Sequence, residues 1–236
     1  MEYSEWRLQL IEGVRSKYGE GYKIYYPDKT IEEADCILEK NIYIVDEDRL
    51  EEMLLEDCKK KIIEFSETKY NKDIYALVLE VDSDVGQIGI SINSIAAYEN
   101  RVANTYSNYS QDRLNGISGV KYNAGDFCYR FFDDLIYNSE LKEILNAYYC
   151  IRAEHPILDV TKPIALKNNI FDNGLSLIGI NILNRMQDVV NALDCTLNFI
   201  AFVSLGDMDN KTIVSLMKRT APLSTLITIF GDEISS

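Results

Sequence analysis

The residues best equipped for recognition chemistry are the tyrosines. The chain holds 16 of them against a single tryptophan, and Tyr98, Tyr106, Tyr109, Tyr122, Tyr129 and Tyr137 fall in its middle third. A phenol ring has an apolar body and a polar tip, a combination used both in cores and at protein interfaces. Carboxylates are the second resource. Asp126 closes the turn Asn123-Ala-Gly-Asp, and Asp207 and Asp209 follow the apolar run 199–205, where α/β proteins often place acids. With a bound metal, Asp126, Asp207 or Asp209 would serve a small hydrolase or transferase. The 206–210 segment equally reads as a turn with Asp209 as the N-cap of a helix.

Other chemistries lack their residues. His155 is the only histidine and precedes Pro156, so a His-rich zinc site is excluded and a Ser-His-Asp triad would depend on that one residue. Gly86-Gln-Ile-Gly89 does not lead into a helix as phosphate cradling requires. Asp82 and Asp84 lack the remaining oxygen ligands of a calcium loop. The five cysteines, Cys36, Cys58, Cys128, Cys150 and Cys195, are dispersed, with no Cys-x-x-Cys pair, and read as reduced, buried thiols. The expectation is a protein with no metal and no cofactor.

The net charge is −14, and eleven acidic residues between Ile31 and Asp57 face only Lys40 and Arg49. Such a field repels nucleic-acid phosphate and anionic membrane and attracts basic partners. Asp46, Glu47, Asp48, Glu51 and Glu52, together with Tyr106, Tyr109, Tyr122 and Asp126, form the candidate partner-binding set. The competing reading is that the acidic residues are solvated helix faces that maintain solubility. No apolar run reaches the ~18 residues of a membrane-spanning helix, and the charged start Met-Glu-Tyr-Ser-Glu-Trp-Arg lacks a signal-peptide core. A cytoplasmic location is expected.

These residues need a frame, and the stretch 73–93 supplies its centre. Ile74–Val81 is almost continuously apolar, as in a strand covered on both faces. Ile88, Ile90 and Ile92 alternate with polar or small residues, as in a half-buried strand. Asp82, Ser83, Asp84 and Gly86 turn one into the other, a β-hairpin. Before it, a helix is expected over 2–18, short strands over 22–26 and 41–45, and a Thr30/Glu33 capping box. A long helix capped by Asp46 or Asp48 follows, with its stripe at Leu50, Met53, Leu54, Cys58, Ile62 and Phe65 and with Lys59, Lys60 and Lys61 complementing its dipole.

Beyond the hairpin, Ser94 caps a helix through Ile95, Tyr98 and Val102, and 104–115 reads as a loop or frayed helix end. Tyr122 and 127–132 suit strands or buried extended chain. Leu141, Ile144, Leu145 and Tyr148 mark a further helix, and 175–193 carries one helical stripe. A strand over 199–205, a helix through Ile213, Leu216 and Met217, and a final strand over 226–230 complete the pattern. Without strict βαβ spacing the class is α+β, with a mixed or antiparallel central sheet flanked by helices. A single domain over 1–236 is expected, with 1–50 an addition packed on a 51–236 core.

The path from the long helix through the Tyr75-Ala-Leu strand and the strand ending Ser91-Ile-Asn to Tyr122-Asn-Ala-Gly-Asp-Phe resembles a bacterial family of unknown function grouped with the immunity proteins of polymorphic toxin systems. The resemblance covers about 51–216, with Phe127 where that family has tryptophan. It implies no catalytic residues. It implies a non-enzymatic binding protein whose partner is a basic toxin domain, neutralised by occlusion of its active or substrate-binding face.

Overall fold

The computed structural model describes residues 44–45, 47–82, 87–132, 134–137, 141, 145, 158–159, 170–205 and 208–234. The expected helix over 2–18, the strand over 22–26, the Thr30/Glu33 box, Asp46, His155 and Asp207 lie outside them. The elements are β1 (Ile44–Val45), α1 (Glu47–Ser66), β2 (Ile74–Asp82), β3 (Gln87–Ser94), α2 (Ile95–Thr105), α3 (Gln111–Asn115), β4 (Tyr129–Phe131), β5 (Leu158–Asp159), α4 (Ile170–Arg185), α5 (Gln187–Val190), β6 (Cys195–Leu205), α6 (Asn210–Thr220) and α7 (Leu223–Phe230). The 3-10 turns Val120–Tyr122, Ala124–Asp126 and Gly231–Ile234 join them.

The chain divides into two compact units, residues 1–53, 83–86 and 137–175, and residues 54–82, 87–136 and 176–236. In the first, β1 and β5 pair in parallel, and Leu141 and Leu145 are helical and buried. The second is an α+β body around a mixed four-stranded sheet of order β4-β3-β2-β6. β2 pairs antiparallel with β3 and parallel with β6, which makes it an interior strand. Leu77, Leu79, Val81, Ile88, Ile90, Ile92 and Val203 are buried on one face. Phe65 of α1 packs on that face, its ring 5.2 Å from Tyr129 and 6.1 Å from Phe131. α4 covers it too, at Gly179, where a Cβ would meet Leu79 and Val203 at 3.2 Å. The other face places Ala76, Val78, Ile200 and Phe202 against Ile117, Tyr122, Phe127, Met217, Leu226 and Phe230. Towards the carboxyl end of β2 this face turns polar, at Glu80, Ser91, Ser204 and Arg130.

Several elements depart from the sequence pattern. The segment 226–230 is the end of a helix rather than a strand. Its β-branched run suits either, but Pro222 precedes the helix, Leu226 and Phe230 point inward four residues apart, and Leu223 and Ile227 are exposed. Gly231, at φ 54°, ends it in a conformation that glycine adopts freely. The single helix expected over 175–193 begins at Ile170 and breaks at Met186, whose φ −97° and ψ 6° leave helical space, before α5 resumes. Ile178, Ile182, Met186 and Val190 are nonetheless all buried. α1 begins at Glu47, so Asp48 lies inside it and is not its cap, and it runs on to Ser66, which puts Lys59–Lys61 in mid-helix rather than in the last turn. The segment 104–115 contains α3, and Tyr122 sits in a 3-10 turn rather than a strand.

Candidate functional site

The segment from Ser94 to Phe127 carries Tyr98, Tyr106, Tyr109 and Tyr122 and packs on the second face of the sheet through Ile95, Tyr98, Ile117, Tyr122 and Phe127. The Ser94 hydroxyl accepts from the Ala97 amide at 3.2 Å and starts α2, a helix whose first amides would otherwise lack acceptors. At its far end the chain is fastened by Asp126. Tyr106 Oη donates to Asp126 Oδ1 at 2.5 Å, Arg101 Nη2 donates to the same oxygen at 3.3 Å, and Asn123 Nδ2 donates to Oδ2 at 3.0 Å. Asn123 Oδ1 in turn accepts from the Gly125 amide at 3.1 Å. The Asn-Ala-Gly-Asp turn is therefore a lock that pins the end of α2. The carboxylate beside it holds the Tyr106 phenol above its ordinary pKa, and the hydrogen bond to Asp126 raises that of Arg101.

On the solvent side of this lock four side chains follow one another. The Arg101 guanidinium lies 6.0 Å from the Tyr106 ring, Tyr106 and Tyr109 are 5.0 Å apart, and the Arg113 guanidinium is 5.4 Å from the Tyr109 ring. Tyr109 is 42% exposed. The outcome is an Arg-Tyr-Tyr-Arg ladder, partly pre-ordered by stacking and by the Asp126 anchor.

On the inner side, the Tyr75 ring makes edge contacts with Tyr98, Tyr122 and Phe127 at 5.7–6.1 Å. Its hydroxyl donates to the Lys121 carbonyl at 2.6 Å and accepts from Asn93 Nδ2 at 3.0 Å. Burial raises the Tyr75 and Tyr122 phenols far above their usual range. Tyr122 packs on Phe230 at 4.8 Å and is 5% exposed, so of the proposed contact tyrosines it belongs to the core, because its ring completes the cluster under α7.

The other singled-out residues are distributed differently. Asp126 is buried and engaged by three donors, so it positions neighbours rather than meeting a partner. Asp209 Oδ1 accepts from the Thr212 amide at 2.8 Å and caps α6, and that bond lowers its pKa. Glu47 and Asp48 lie in the first turn of α1, Glu51 is half-buried and Glu52 exposed, all in the first compact unit. Tyr106 and Tyr109 belong to the second.

Clefts open among the described residues of the second unit. One, of about 780 Å³, lies at the carboxyl ends of β2 and β6 and is lined by Glu80, Asp82, Arg130, Phe132, Ser204 and Asp209, among others. In it Arg130 forks onto Glu80 at 3.0 and 3.4 Å while the Ser91 hydroxyl also donates to Glu80. The second, of about 730 Å³, is lined by Lys121, Tyr75, Tyr122 and residues 195–198. Sequence reasoning passed over Arg101, Arg113, Lys121 and Arg130. Arg130 alone had a local signal, as the outward residue of Tyr-Arg-Phe. Among the described residues no group of three His, Cys, Asp or Glu is placed to hold a metal, and no helix is long and apolar enough to cross a membrane. Comparison with family models, curated proteins and solved structures finds no match.

Proposed function

We propose that the chain is a non-enzymatic, cytoplasmic binding protein of the toxin-immunity kind, and that it works by covering the active or substrate-binding face of a basic toxin domain. The observation that carries this reading is the Arg101–Tyr106–Tyr109–Arg113 ladder, exposed at Arg101, Tyr109 and Arg113 and held by the Asp126 lock. Tyrosine and arginine are the residue types over-represented among interface hot spots, and pre-ordered rings lose little entropy on binding. The net charge of −14 supplies long-range attraction for a basic partner, and the Tyr106 and Tyr109 rings supply the short-range anchor, with the Arg101 charge offset by Asp126. Charge would speed association while buried rings slow dissociation. The roles of Asp126 as a lock and Asp209 as a helix cap favour this reading over metal-assisted hydrolysis or transfer, because both carboxylates are already committed to structure.

The test is a protection assay. A toxic domain encoded beside the gene is produced in cells together with the wild-type chain or with the double variant Tyr109→Ala/Arg113→Ala. Growth with the wild type, and loss of growth with a double variant of unchanged melting temperature, is the expected result. Equal protection by both would move the contact away from the ladder. Failure of the wild type both to protect and to bind the purified domain would reject the immunity reading.

A further inference from the structure

The side chain of Lys121 occupies a cage of tyrosines. Its ammonium lies 5.4 Å from the ring centre of Tyr75, 5.7 Å from Tyr98 and 5.8 Å from Tyr122. Among the described residues no carboxylate lies within ion-pair distance of it. The rings attract a cation but do not neutralise it, and half-burial lowers the pKa of the amine. A charge taken partly out of water without a counter-ion is costly unless something supplies one.

The wall opposite has an unusual origin. β6 follows β2 in register from Ala76↔Ile200 onward, but the preceding pair is Ile74↔Cys195. Residues 196–199 therefore bulge out of the ladder, and 196–198 line the cleft beside Lys121. Bulges of this kind re-aim side chains near sites. Leu197 is fully exposed on the bulge. The Thr196 hydroxyl is buried yet has no hydrogen-bond partner among the described residues, which for a buried polar atom is exceptional. Lys121, with no carboxylate among the described residues within ion-pair distance, and Thr196, whose hydroxyl lies just beneath the surface, thus line one cleft. Asp73 lines it too and offsets part of the positive charge, so a singly charged anion suits it better than a phosphate dianion. Ile95, Leu197 and Ile229 supply apolar walls.

We infer that this cleft binds a carboxylate carried on an apolar body, with Lys121 as counter-ion and the Thr196 hydroxyl as hydrogen-bond donor. The carboxylate belongs to a free organic acid or to the C-terminus of a peptide, and the chemistry at Lys121 is the same for both. This inference is independent of the ladder and of the immunity reading.

The full chain, labelled with nitrogen-15, is titrated with hexanoate, with the peptide Gly-Gly-Ala-Leu bearing a free C-terminus, and with hexanol and the amidated peptide as uncharged controls. The expected result is saturable movement of the 196–198 amide signals with at least one of the two acids and none with the controls. Saturation by hexanoate identifies a free-acid site, and saturation by the peptide acid alone identifies a terminus site. Lys121→Met should weaken binding at least tenfold, and Thr196→Val, which keeps the side-chain shape, about three- to fivefold. Should Lys121→Met fail to fold, Thr196→Val alone decides. Absence of saturation with both acids, equal binding of acid and uncharged control, or unchanged affinity in the folded variants would overturn the inference.

Discussion

Tyr106 donates its phenolic proton to Asp126 Oδ1 at 2.5 Å, and this bond ties the end of α2 to a turn twenty residues further along the chain. The anchor holds the exposed ladder in place, so it has both a stability and a functional consequence. Tyr106→Phe should cost about 1 kcal/mol, the value of an ordinary hydrogen bond and below that of a bond to a buried charge, because the site is partly open to water. The folded protein holds the Tyr106 phenol above its ordinary pKa because the donor bond needs the proton. The associated stability is fully present below the unfolded-state pKa of about 10 and is lost as pH rises through the higher folded value. Urea unfolding of wild type and Tyr106→Phe should therefore differ by a constant amount from pH 6 to 9 and converge above about pH 10. A gap that persists undiminished at pH 11.5 would count against the assigned bond.

Leu77 of β2 and Ile182 of α4 are both completely buried, and Gly179, one turn before Ile182, brings α4 close to Leu79 and Val203. Replacing either by Ala should destabilise by about 2–5 kcal/mol, the transfer and cavity cost of buried aliphatic truncation. Denaturant midpoints measure it, and losses under half a kcal/mol at both sites would mean that the sheet face under α4 is not the core.

Much of this core was legible in the sequence because it is periodic over short distances. The stripe at Leu50, Leu54, Cys58, Ile62 and Phe65, the near-continuous apolar run of β2 and the alternation of β3 each need only a window of a few residues. The Ser94 and Asp209 caps were legible for the same reason, as was the Asn123–Asp126 turn. α7 was not, since Leu-Ile-Thr-Ile-Phe satisfies a strand pattern and only its packing partners choose the helix. The interior position of Tyr122 and the cage around Lys121 were hidden by distance. They depend on Tyr75, 46 residues from Lys121, and on a bulge in β6 that has no signal in its own sequence.

The Glu80–Arg130 fork joins residues fifty apart and closes the polar end of the sheet. Ser91, which is fully buried, also donates to Glu80, so the carboxylate serves two donors. A double-mutant cycle with Glu80→Gln and Arg130→Met should return a coupling of about 1 kcal/mol, as for a well-formed but partly solvated arginine–carboxylate pair. The coupling should fall on raising ionic strength, since the Arg130 end is open to solvent. Additive single effects at low salt would show that the two side chains do not hold each other.

Gly89 sits opposite Glu80 in the β2–β3 ladder, and the ring of Phe132 lies directly against it. A Cβ at Gly89 would come within 2.4 Å of two ring carbons of Phe132, well inside any contact distance. Gly89→Ala should therefore displace the ring and cost about 1–3 kcal/mol, the range for overpacking. The ring carries a second contact, because the Arg130 guanidinium lies 5.0 Å from its centre, so its displacement should also loosen the Glu80–Arg130 fork. The strand backbone itself tolerates alanine, which separates this clash from any conformational need for glycine. Phe132→Ala alone should destabilise by removing the packed ring, yet in that background Gly89→Ala should become nearly neutral. Thermal and urea denaturation of the four proteins give the interaction term. If Gly89→Ala costs the same with and without the ring, the steric contact is not what keeps a glycine at this position.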